Sequence, residues 1–155
     1  MKILMVCLGN ICRSPMAEGL MRAKIEKYNL SAEVDSAGFE PFHTNDKPDY
    51  RACEVMQNHG ISIHKQRARL FKISDFDTFD KIYVMDSGNY RDVINTTRNA
   101  TDKSKVDYIM NVVFKNSNMP VPDPYYGKIN GFKETFDLLE KATEAIAMEI
   151  KKMKK

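Results

Sequence analysis

The sequence predicts an α/β fold: a single-domain, three-layer structure in which a four-stranded, mainly parallel sheet is flanked by helices. Short apolar runs typical of buried strands alternate with segments whose apolar residues recur at helical spacing. This alternation favours parallel strands joined by right-handed helical crossovers. The 155 residues contain neither repeats nor a low-complexity linker, so we expect one domain spanning residues 1–155.

The first unit of the chain is predicted to be a strand, a loop and a helix. Residues 3–7 form a continuous apolar run, the pattern of a strand that is buried on both faces. A polar turn follows, and apolar residues then recur at helical spacing from residue 16 to about residue 28. Ser14 is suited to cap this helix, and Pro15 to occupy its first position.

Three further strands and three further helices are predicted along the rest of the chain. The strands are expected at residues 32–37, 81–85 and 106–110. The helices are expected at residues 48–58, after Ser87, and at residues 132–150. Gly38 is predicted to end the second strand, and Gly60 to end the helix that begins near residue 48.

The loop after the first strand reads Cys-Leu-Gly-Asn-Ile-Cys-Arg-Ser-Pro over residues 7–15. It lies beyond the carboxyl end of a strand, where parallel sheets bind their ligands. Its backbone N–H groups and the N-terminus of the next helix can surround one anion. Gly9 permits close approach, Asn10 tolerates a left-handed backbone, and Arg13 offers a planar fork to phosphate. The sequence therefore predicts a phosphate-binding loop after the first strand.

Cys7 begins this loop and is the candidate nucleophile. Positive potential from the loop and from Arg13 favours a thiolate at neutral pH, and a thiolate beneath a bound phosphate can attack phosphorus. The alternative is a cysteine that only packs at the end of a buried strand. The main structural rival is the nucleotide-binding loop G-x-x-x-x-G-K-S/T, but its lysine and second glycine are missing.

Composition and charge exclude several classes of function. The net charge of +3 is small and no basic face carries interleaved aromatics, so we expect no nucleic acid partner. No apolar run is long enough for a membrane span or a signal peptide, and the three cysteines are too few for a disulfide framework. We therefore expect a cytoplasmic protein with no membrane partner. No metal-ligand spacing is present, so neither a metal nor another cofactor is expected.

Further motifs extend the pattern of the loop over essentially the whole chain. Met-Ala-Glu follows the loop at residues 16–18, and Asp-Pro-Tyr-Tyr-Gly occupies residues 123–127. With residues 7–15, these motifs resemble the low-molecular-weight protein tyrosine phosphatases. Matching segments occur in the family's order at residues 36–38, 48–52, 64–69 and 79–86. The resemblance implies hydrolysis of phosphotyrosine and small aryl phosphates through a cysteinyl-phosphate intermediate, without a metal.

The resemblance implies a catalytic role for three residues. Cys7 would attack phosphorus, Arg13 would hold the equatorial oxygens, and Asp123 would protonate the leaving phenolate. From sequence alone, Asp123 before proline is only a turn signal. The remaining phosphate contacts are expected from the loop itself, at Leu8, Gly9, Asn10, Ile11, Cys12 and Ser14. The family serine that matches Ser14 supports the thiolate with its hydroxyl.

Other residues match supporting positions of the family. Asn10, Ser36 and His64 would brace the loop by hydrogen bonds, although His64 could simply be a buried, satisfied histidine. Asp86 would orient Arg13 or else cap the helix that follows it. His43 and His59 are expected to be surface or structural residues. The slot for an aromatic ring would be walled by Phe42, Tyr125 and Tyr126, where the alternative for the tyrosines is ordinary loop contact.

Two cysteines remain. Cys12 either fills space in a tight loop or forms a reversible disulfide with Cys7 that protects the nucleophile from oxidation. Cys53 is predicted to pack in a helix.

An arsenate reductase on the same fold would need two cysteines beyond the loop, and only Cys53 is available. A phosphoarginine phosphatase is disfavoured because, by resemblance, it carries threonine where Ile11 stands and lacks the tyrosine pair.

Two further classes are disfavoured, and the resemblance suggests partners. A phosphotyrosine-binding module without activity would lack Cys7 or Asp123, and a metal-dependent phosphatase would need a carboxylate-histidine cluster.

The implied partners are tyrosine-phosphorylated proteins, with a tyrosine kinase of polysaccharide export as one candidate. A monomer or weak dimer is expected.

Overall fold

The computed structural model describes residues 1–153 and contains the predicted four-stranded sheet flanked by helices. The strands lie in the order β2-β1-β3-β4, and every neighbouring pair is parallel. The strands are Lys2–Val6 (β1), Glu33–Ala37 (β2), Lys81–Val84 (β3) and Val106–Tyr108 (β4). This arrangement confirms the α/β prediction and makes the sheet wholly parallel. Lys154 and Lys155, the end of the predicted domain, lie outside the described residues.

Six helices within residues 1–153 surround the sheet. They are Arg13–Lys27 (α1), Tyr50–Asn58 (α2), Asp75–Thr78 (α3), Ser87–Ile94 (α4), Ala100–Ser104 (α5) and Ile129–Met153 (α6). Single 3₁₀ turns occupy Pro41–His43 and Ile109–Val112. The predicted helices are confirmed. The helices α3 and α5 were not predicted, because they are too short for a helical period to be visible in the sequence. No helix within residues 1–153 is long and apolar enough to cross a membrane.

The central strand β1 is buried on both faces. Ile3 and Met5 point into a core shared with α1, α2 and α6, while Leu4 and Val6 point into a second core beneath α3 and α4. None of these four side chains is exposed, which confirms the reading of the apolar run as a doubly covered strand. Such burial fixes the carboxyl end of β1, where the loop of residues 7–12 begins.

The start of α1 corrects one prediction. The helix begins at Arg13 after Cys12, which makes no side-chain cap, so Ser14 is not the N-cap and Pro15 lies at the third helical position. The Met16 amide already donates to the Cys12 carbonyl at 3.2 Å. The Ser14 hydroxyl is turned instead toward Cys7 in the protein interior.

The end of β2 packs directly on the loop after β1. The Phe39 amide donates to the Leu8 carbonyl at 2.7 Å. A Cβ atom on Gly38 would lie 2.8 Å from that carbonyl oxygen and 2.9 Å from the Asn10 nitrogen. Both neighbours are backbone atoms that cannot rotate away, so this position requires glycine.

We therefore expect Gly38→Ala to lower the free energy of unfolding by about 1–3 kcal/mol, the typical cost of overpacking. Urea unfolding of the variant and the wild type measures this loss. Gly131→Ala is the matched control, because its Cβ would meet Pro124 only at an ordinary 3.6 Å. Alanine in a helix is favoured over glycine by about 0.5–1 kcal/mol, so the control should be no less stable than wild type. Equal stability of Gly38→Ala and wild type would contradict the packing argument.

Candidate active site

The loop of residues 7–12 forms the floor of a cavity of about 130 Å³ at the carboxyl edge of the sheet. A cavity of roughly this size accepts one benzene ring. The cavity brings together ten of the predicted site residues: Cys7, Leu8, Gly9, Ile11, Cys12, Arg13, Phe42, Asp123, Tyr125 and Tyr126. Glu40 and His43 also line it and were not predicted as site residues. Asn10 and Ser14 lie behind the cavity wall.

Cys7 is almost completely buried, and Ser14 holds its sulfur atom. The Ser14 Oγ lies 3.0 Å from the Cys7 Sγ, and the Ser14 backbone N–H donates to the same sulfur at 3.5 Å. Both contacts come from the first turn of α1, whose dipole places positive potential at the sulfur. A negative charge on Cys7 is therefore stabilised from two directions.

Asn10 determines which atom donates between Ser14 and Cys7. Its Oδ1 accepts from the Arg69 backbone N–H at 3.0 Å, which fixes the orientation of the side-chain amide. Its Nδ2 then donates to the Ser14 Oγ at 2.8 Å and to the Ser36 Oγ at 2.9 Å. Because the Ser14 oxygen already accepts one proton, its own hydroxyl proton is available to the Cys7 sulfur.

The network ends at Glu18, a buried carboxyl on α1 that was not predicted as a site residue. The Ser36 hydroxyl donates to the Glu18 Oε1 at 2.7 Å, and Arg22 pairs with the other carboxyl oxygen at 2.9 Å. Burial raises the pKa of Glu18 above its ordinary value, although Ser36 and Arg22 oppose the change. As a carboxylate, Glu18 can only accept, so it directs the Ser36 proton away from Asn10. Asn10 and Ser36 thus make hydrogen bonds of the kind expected for residues that brace the loop.

The backbone of Asn10 confirms the prediction that this residue tolerates a left-handed conformation. Its φ is 56°, in the left-handed region that asparagine tolerates better than most residues. This backbone turn directs the side chain into the interior while the neighbouring loop residues line the cavity.

Arg13 is held rigidly at the edge of the cavity with a side chain only 2% exposed. Its Nη1 donates to the Asp86 Oδ2 at 2.7 Å and to the Val121 carbonyl at 2.9 Å. Burial alone would lower the pKa of Arg13, but the negative charges of Cys7 and Asp86 outweigh burial and raise it. The guanidinium therefore stays charged, and its Nη2 remains for an anion.

Asp86 contacts both Arg13 and the first turn of α4. It orients Arg13, and its Oδ1 accepts from the Asn89 backbone N–H at 2.9 Å as the N-cap of α4. Burial alone would raise the pKa of Asp86, yet the hydrogen bond from Arg13 lowers it below the ordinary value.

Asp123 lies on the irregular segment before α6 and is partly exposed. Its Oδ2 is 3.6 Å from the Arg13 Nη2, and its Oδ1 accepts from the Tyr125 backbone N–H at 3.1 Å. The carboxyl group thus shares the cavity with Cys7 and the free face of Arg13.

The predicted aromatic walls surround the cavity. The Tyr125 and Tyr126 rings meet edge to face with centroids 4.9 Å apart, and Tyr126 is 91% exposed. Phe42 is also exposed and its ring centroid lies 4.2 Å from that of His43. His43, predicted to be a surface or structural residue, is partly buried at the cavity wall, where its ring lies beside Gly9 and its Nδ1 is 3.1 Å from the Asp46 Oδ2.

His64 does not brace the loop, and the prediction for it was wrong. Its side chain is exposed and its Nδ1 lies 2.6 Å from the Ser62 Oγ, so it is not a buried histidine either. Its neighbour Arg69 supports the loop instead, and Gln66 supports the first turn of α1. The Gln66 Nε2 donates to the Pro15 carbonyl at 3.1 Å, and the Arg69 amide holds Asn10.

The remaining cysteines have distinct environments. Burial raises the pKa of Cys12, and the charges of Asp49 and Cys7 raise it further, so this thiol stays neutral. Cys53 is half-buried on α2 and packs against the core, as predicted. Residues 1–153 contain no cluster of three or more histidine, cysteine or carboxylate side chains suited to a metal ion.

The ion pair of Arg13 and Asp86 gives a pH-dependent prediction. Asp86→Asn removes the charge but keeps an effective N-cap, since asparagine caps helices as well as aspartate does. A carboxyl whose folded pKa is lowered stabilises the protein above its unfolded pKa and loses that effect as pH falls through the folded value. The wild type should therefore be more stable than the variant at neutral pH, and the difference should shrink below about pH 4. Urea unfolding at both pH values measures it, and a pH-independent difference would contradict this account.

Comparison with known proteins places this geometry in a family. Residues 2–155 match the family model described as low molecular weight phosphotyrosine protein phosphatase. A protein of that name from Schizosaccharomyces pombe is 41% identical over 138 residues, covering 87% of this chain and 87% of the relative.

Two solved structures are similar throughout. A protein tyrosine phosphatase from Entamoeba histolytica, with Hepes in its active site, has a TM-score of 0.91 and 35% identity, covering 100% of this chain and 99% of that chain. A C7S mutant of the YwlE arginine phosphatase, with a phosphorylated active-site serine, has a TM-score of 0.89 and 28% identity, covering 98% of this chain and 97% of that chain. Since the family model matches nearly every residue, the chain belongs to the low molecular weight phosphotyrosine protein phosphatase family.

Proposed function

We propose that this protein hydrolyses phosphotyrosine and small aryl phosphates through a cysteinyl-phosphate intermediate on Cys7, without a metal or another cofactor. The observation that carries the proposal is the convergence of Cys7, Arg13 and Asp123 on one cavity. A nucleophile, an anion clamp and a proton donor are the groups that a phosphate monoester requires.

Binding begins with the phosphate above the Cys7 sulfur. Arg13 is fixed through its Nη1, while its Nη2 lies 3.6 Å from Asp123, beyond hydrogen-bonding distance. The Nη2 edge can therefore turn its protons toward the equatorial oxygens of the substrate. Backbone N–H groups of the loop complete the cradle, and the N-terminus of α1 favours the negative charge.

In the first chemical step the Cys7 thiolate forms a sulfur–phosphorus bond as the bond from phosphorus to the phenolic oxygen breaks. Asp123 gives its proton to that oxygen, because a phenol with a pKa of about 10 leaves poorly as an anion at neutral pH. In the second step the Asp123 carboxylate takes a proton from water, and the water oxygen attacks phosphorus. The sulfur–phosphorus bond breaks, releasing inorganic phosphate and the thiolate.

The walls of the cavity favour an aromatic substrate. Tyr125 and Phe42 flank an opening of about one ring's volume, and Ile11 contributes an apolar side chain. Phosphoarginine carries a charged guanidinium, which would lose hydration against these apolar groups. Its hydrolysis remains the second candidate because the arginine phosphatase named above has the same fold. Arsenate reduction is disfavoured, because relaying electrons from the loop would need two further cysteines and the sequence has only Cys53 beyond the loop.

The proposed partners follow from this substrate class. They are tyrosine-phosphorylated proteins of the cytoplasm, with a tyrosine kinase of polysaccharide export as one candidate. We propose that the enzyme acts on them as a monomer or weak dimer.

The mechanism predicts how two variants behave on aryl phosphates in the presence of a chelator. Wild type should turn over, and Cys7→Ser should be inactive because it lacks the thiolate. Asp123→Ala should lose about 100-fold or more in kcat with phenyl phosphate and much less with p-nitrophenyl phosphate, whose leaving group needs little protonation. Steady-state kinetics under reducing conditions measure these values. Loss of wild-type activity on adding the chelator, or an active Cys7→Ser protein, would contradict the mechanism.

The cavity walls predict substrate selectivity. One peptide sequence carrying phosphotyrosine, phosphoserine or phosphoarginine should be hydrolysed with kcat/KM highest for phosphotyrosine. We expect a preference of about 100-fold or more, since the aryl ring fills the cavity and the shorter serine does not bring its phosphate to the floor. Release of inorganic phosphate measures each rate. A phosphoarginine rate above the phosphotyrosine rate would assign the protein to the second candidate function.

A further inference from the structure

We infer that Arg51 is a positioning residue that holds the segment carrying Asp123 against the phosphate-binding loop. The inference rests on the proposed function, because it concerns the general acid of that reaction. Arg51 lies in the first turn of α2 and does not line the cavity. Its side chain is 19% exposed although it carries a charge, so its contacts satisfy most of the guanidinium.

One side of the guanidinium is fixed by Asp49, the N-cap of α2. The Arg51 Nε donates to the Asp49 Oδ1 at 3.0 Å, and the Nη2 donates to the Oδ2 at 2.9 Å. This fork is the strong, bidentate arrangement of arginine with a carboxylate. The Asp49 backbone N–H also donates to the Ile11 carbonyl at 2.8 Å. The pair is therefore attached to the phosphate-binding loop.

The other side of the guanidinium contacts the acid segment, which is the irregular stretch between Val121 and α6 that carries Asp123. The Nη2 donates to the Tyr125 carbonyl and the Nη1 to the Gly127 carbonyl, each at 2.8 Å. The Arg51 guanidinium carbon also lies 4.6 Å from the centroid of the Phe132 ring at the start of α6. Two backbone carbonyls that follow Asp123 are thus held by one rigid group.

The acid segment has little regular structure of its own. Between Val121 and α6, the chain forms a turn in which the Gly127 amide donates to the Pro124 carbonyl at 3.0 Å, without strand pairing. Asp123 accepts from the amide of Tyr125, the residue whose carbonyl Arg51 holds. Before Asp123, the Val121 amide donates to the Met85 carbonyl at 2.8 Å, and the Val121 carbonyl accepts from Arg13. Arg51 holds the other side, so the position of Asp123 relative to the leaving oxygen depends on Arg51 as well. A displacement of about 1 Å in such a group can cost on the order of 100-fold in rate.

Kinetics of Arg51→Gln test this role. The variant should lose about 10- to 100-fold in kcat with phenyl phosphate and much less with p-nitrophenyl phosphate, because only the poor leaving group needs the acid. In an Asp123→Ala background, Arg51→Gln should cause no further selective loss with phenyl phosphate. An equal loss with both substrates, or a full additional loss in the double variant, would overturn the inference.

Arg98→Gln is the matched control. Arg98 also forms a carboxylate fork, with its Nε 2.9 Å and its Nη2 3.1 Å from the Asp102 carboxyl oxygens, away from the cavity. The Arg98→Gln variant should keep the wild-type dependence of kcat on the leaving group. Thermal unfolding shows whether each variant folds. If Arg51→Gln does not fold, Asp49→Asn keeps the helix cap, weakens the fork and should show the same selective loss in smaller degree.

The experiment separates two kinds of failure. If Asp123→Ala shows the leaving-group effect and Arg51→Gln does not, the positioning role is wrong and the proposed function stands. If Asp123→Ala shows no such effect, the general-acid mechanism fails and the role of Arg51 fails with it.

Discussion

The side-chain amide of Asn10 sets the direction of the hydrogen bonds that lead to the catalytic sulfur. The Asn10 Oδ1 accepts a hydrogen bond from the Arg69 backbone N–H, which fixes the orientation of the side-chain amide. The two N–H protons of the Asn10 Nδ2 are therefore donated to Ser14 and Ser36. The Ser14 hydroxyl proton is then available to Cys7. The surrounding elements serve this arrangement: the left-handed backbone at residue 10 turns the amide inward, and β2 and α1 supply its partners.

The parallel sheet supplies the second requirement, which is a fixed distance between opposite charges. Val6 pairs with Val84, so the loops after β1 and β3 leave the sheet side by side. Arg13 and Asp86 can therefore meet at 2.7 Å although 73 residues separate them. In a partly buried site this pair keeps the guanidinium charged and immobile. Catalysis thus depends on the register of two buried strands as well as on the loop.

Sequence reasoning succeeded where a pattern has a local physical cause. Buried strands, long helices and the left-handed Asn10 all follow from residue type and period. It failed for contacts that only tertiary structure creates. His64 and Gln66 lie in one irregular segment whose orientation no period reveals, and Glu18 has the sequence context of an ordinary helical carboxylate. The role of Arg51 was missed because its contacts with the segment that carries Asp123 are to backbone carbonyls, which no residue type marks in the sequence.

The proposed covalent intermediate on Cys7 can be observed directly. Wild-type protein would be mixed with an excess of aryl phosphate, quenched in acid during turnover, digested and analysed by mass spectrometry. If Cys7 is the nucleophile, the digest contains a peptide heavier by one phosphoryl group, and fragmentation places that group on Cys7. Turnover with Cys7 unmodified, or with the phosphoryl group on another residue, would contradict the assignment of Cys7 as the nucleophile.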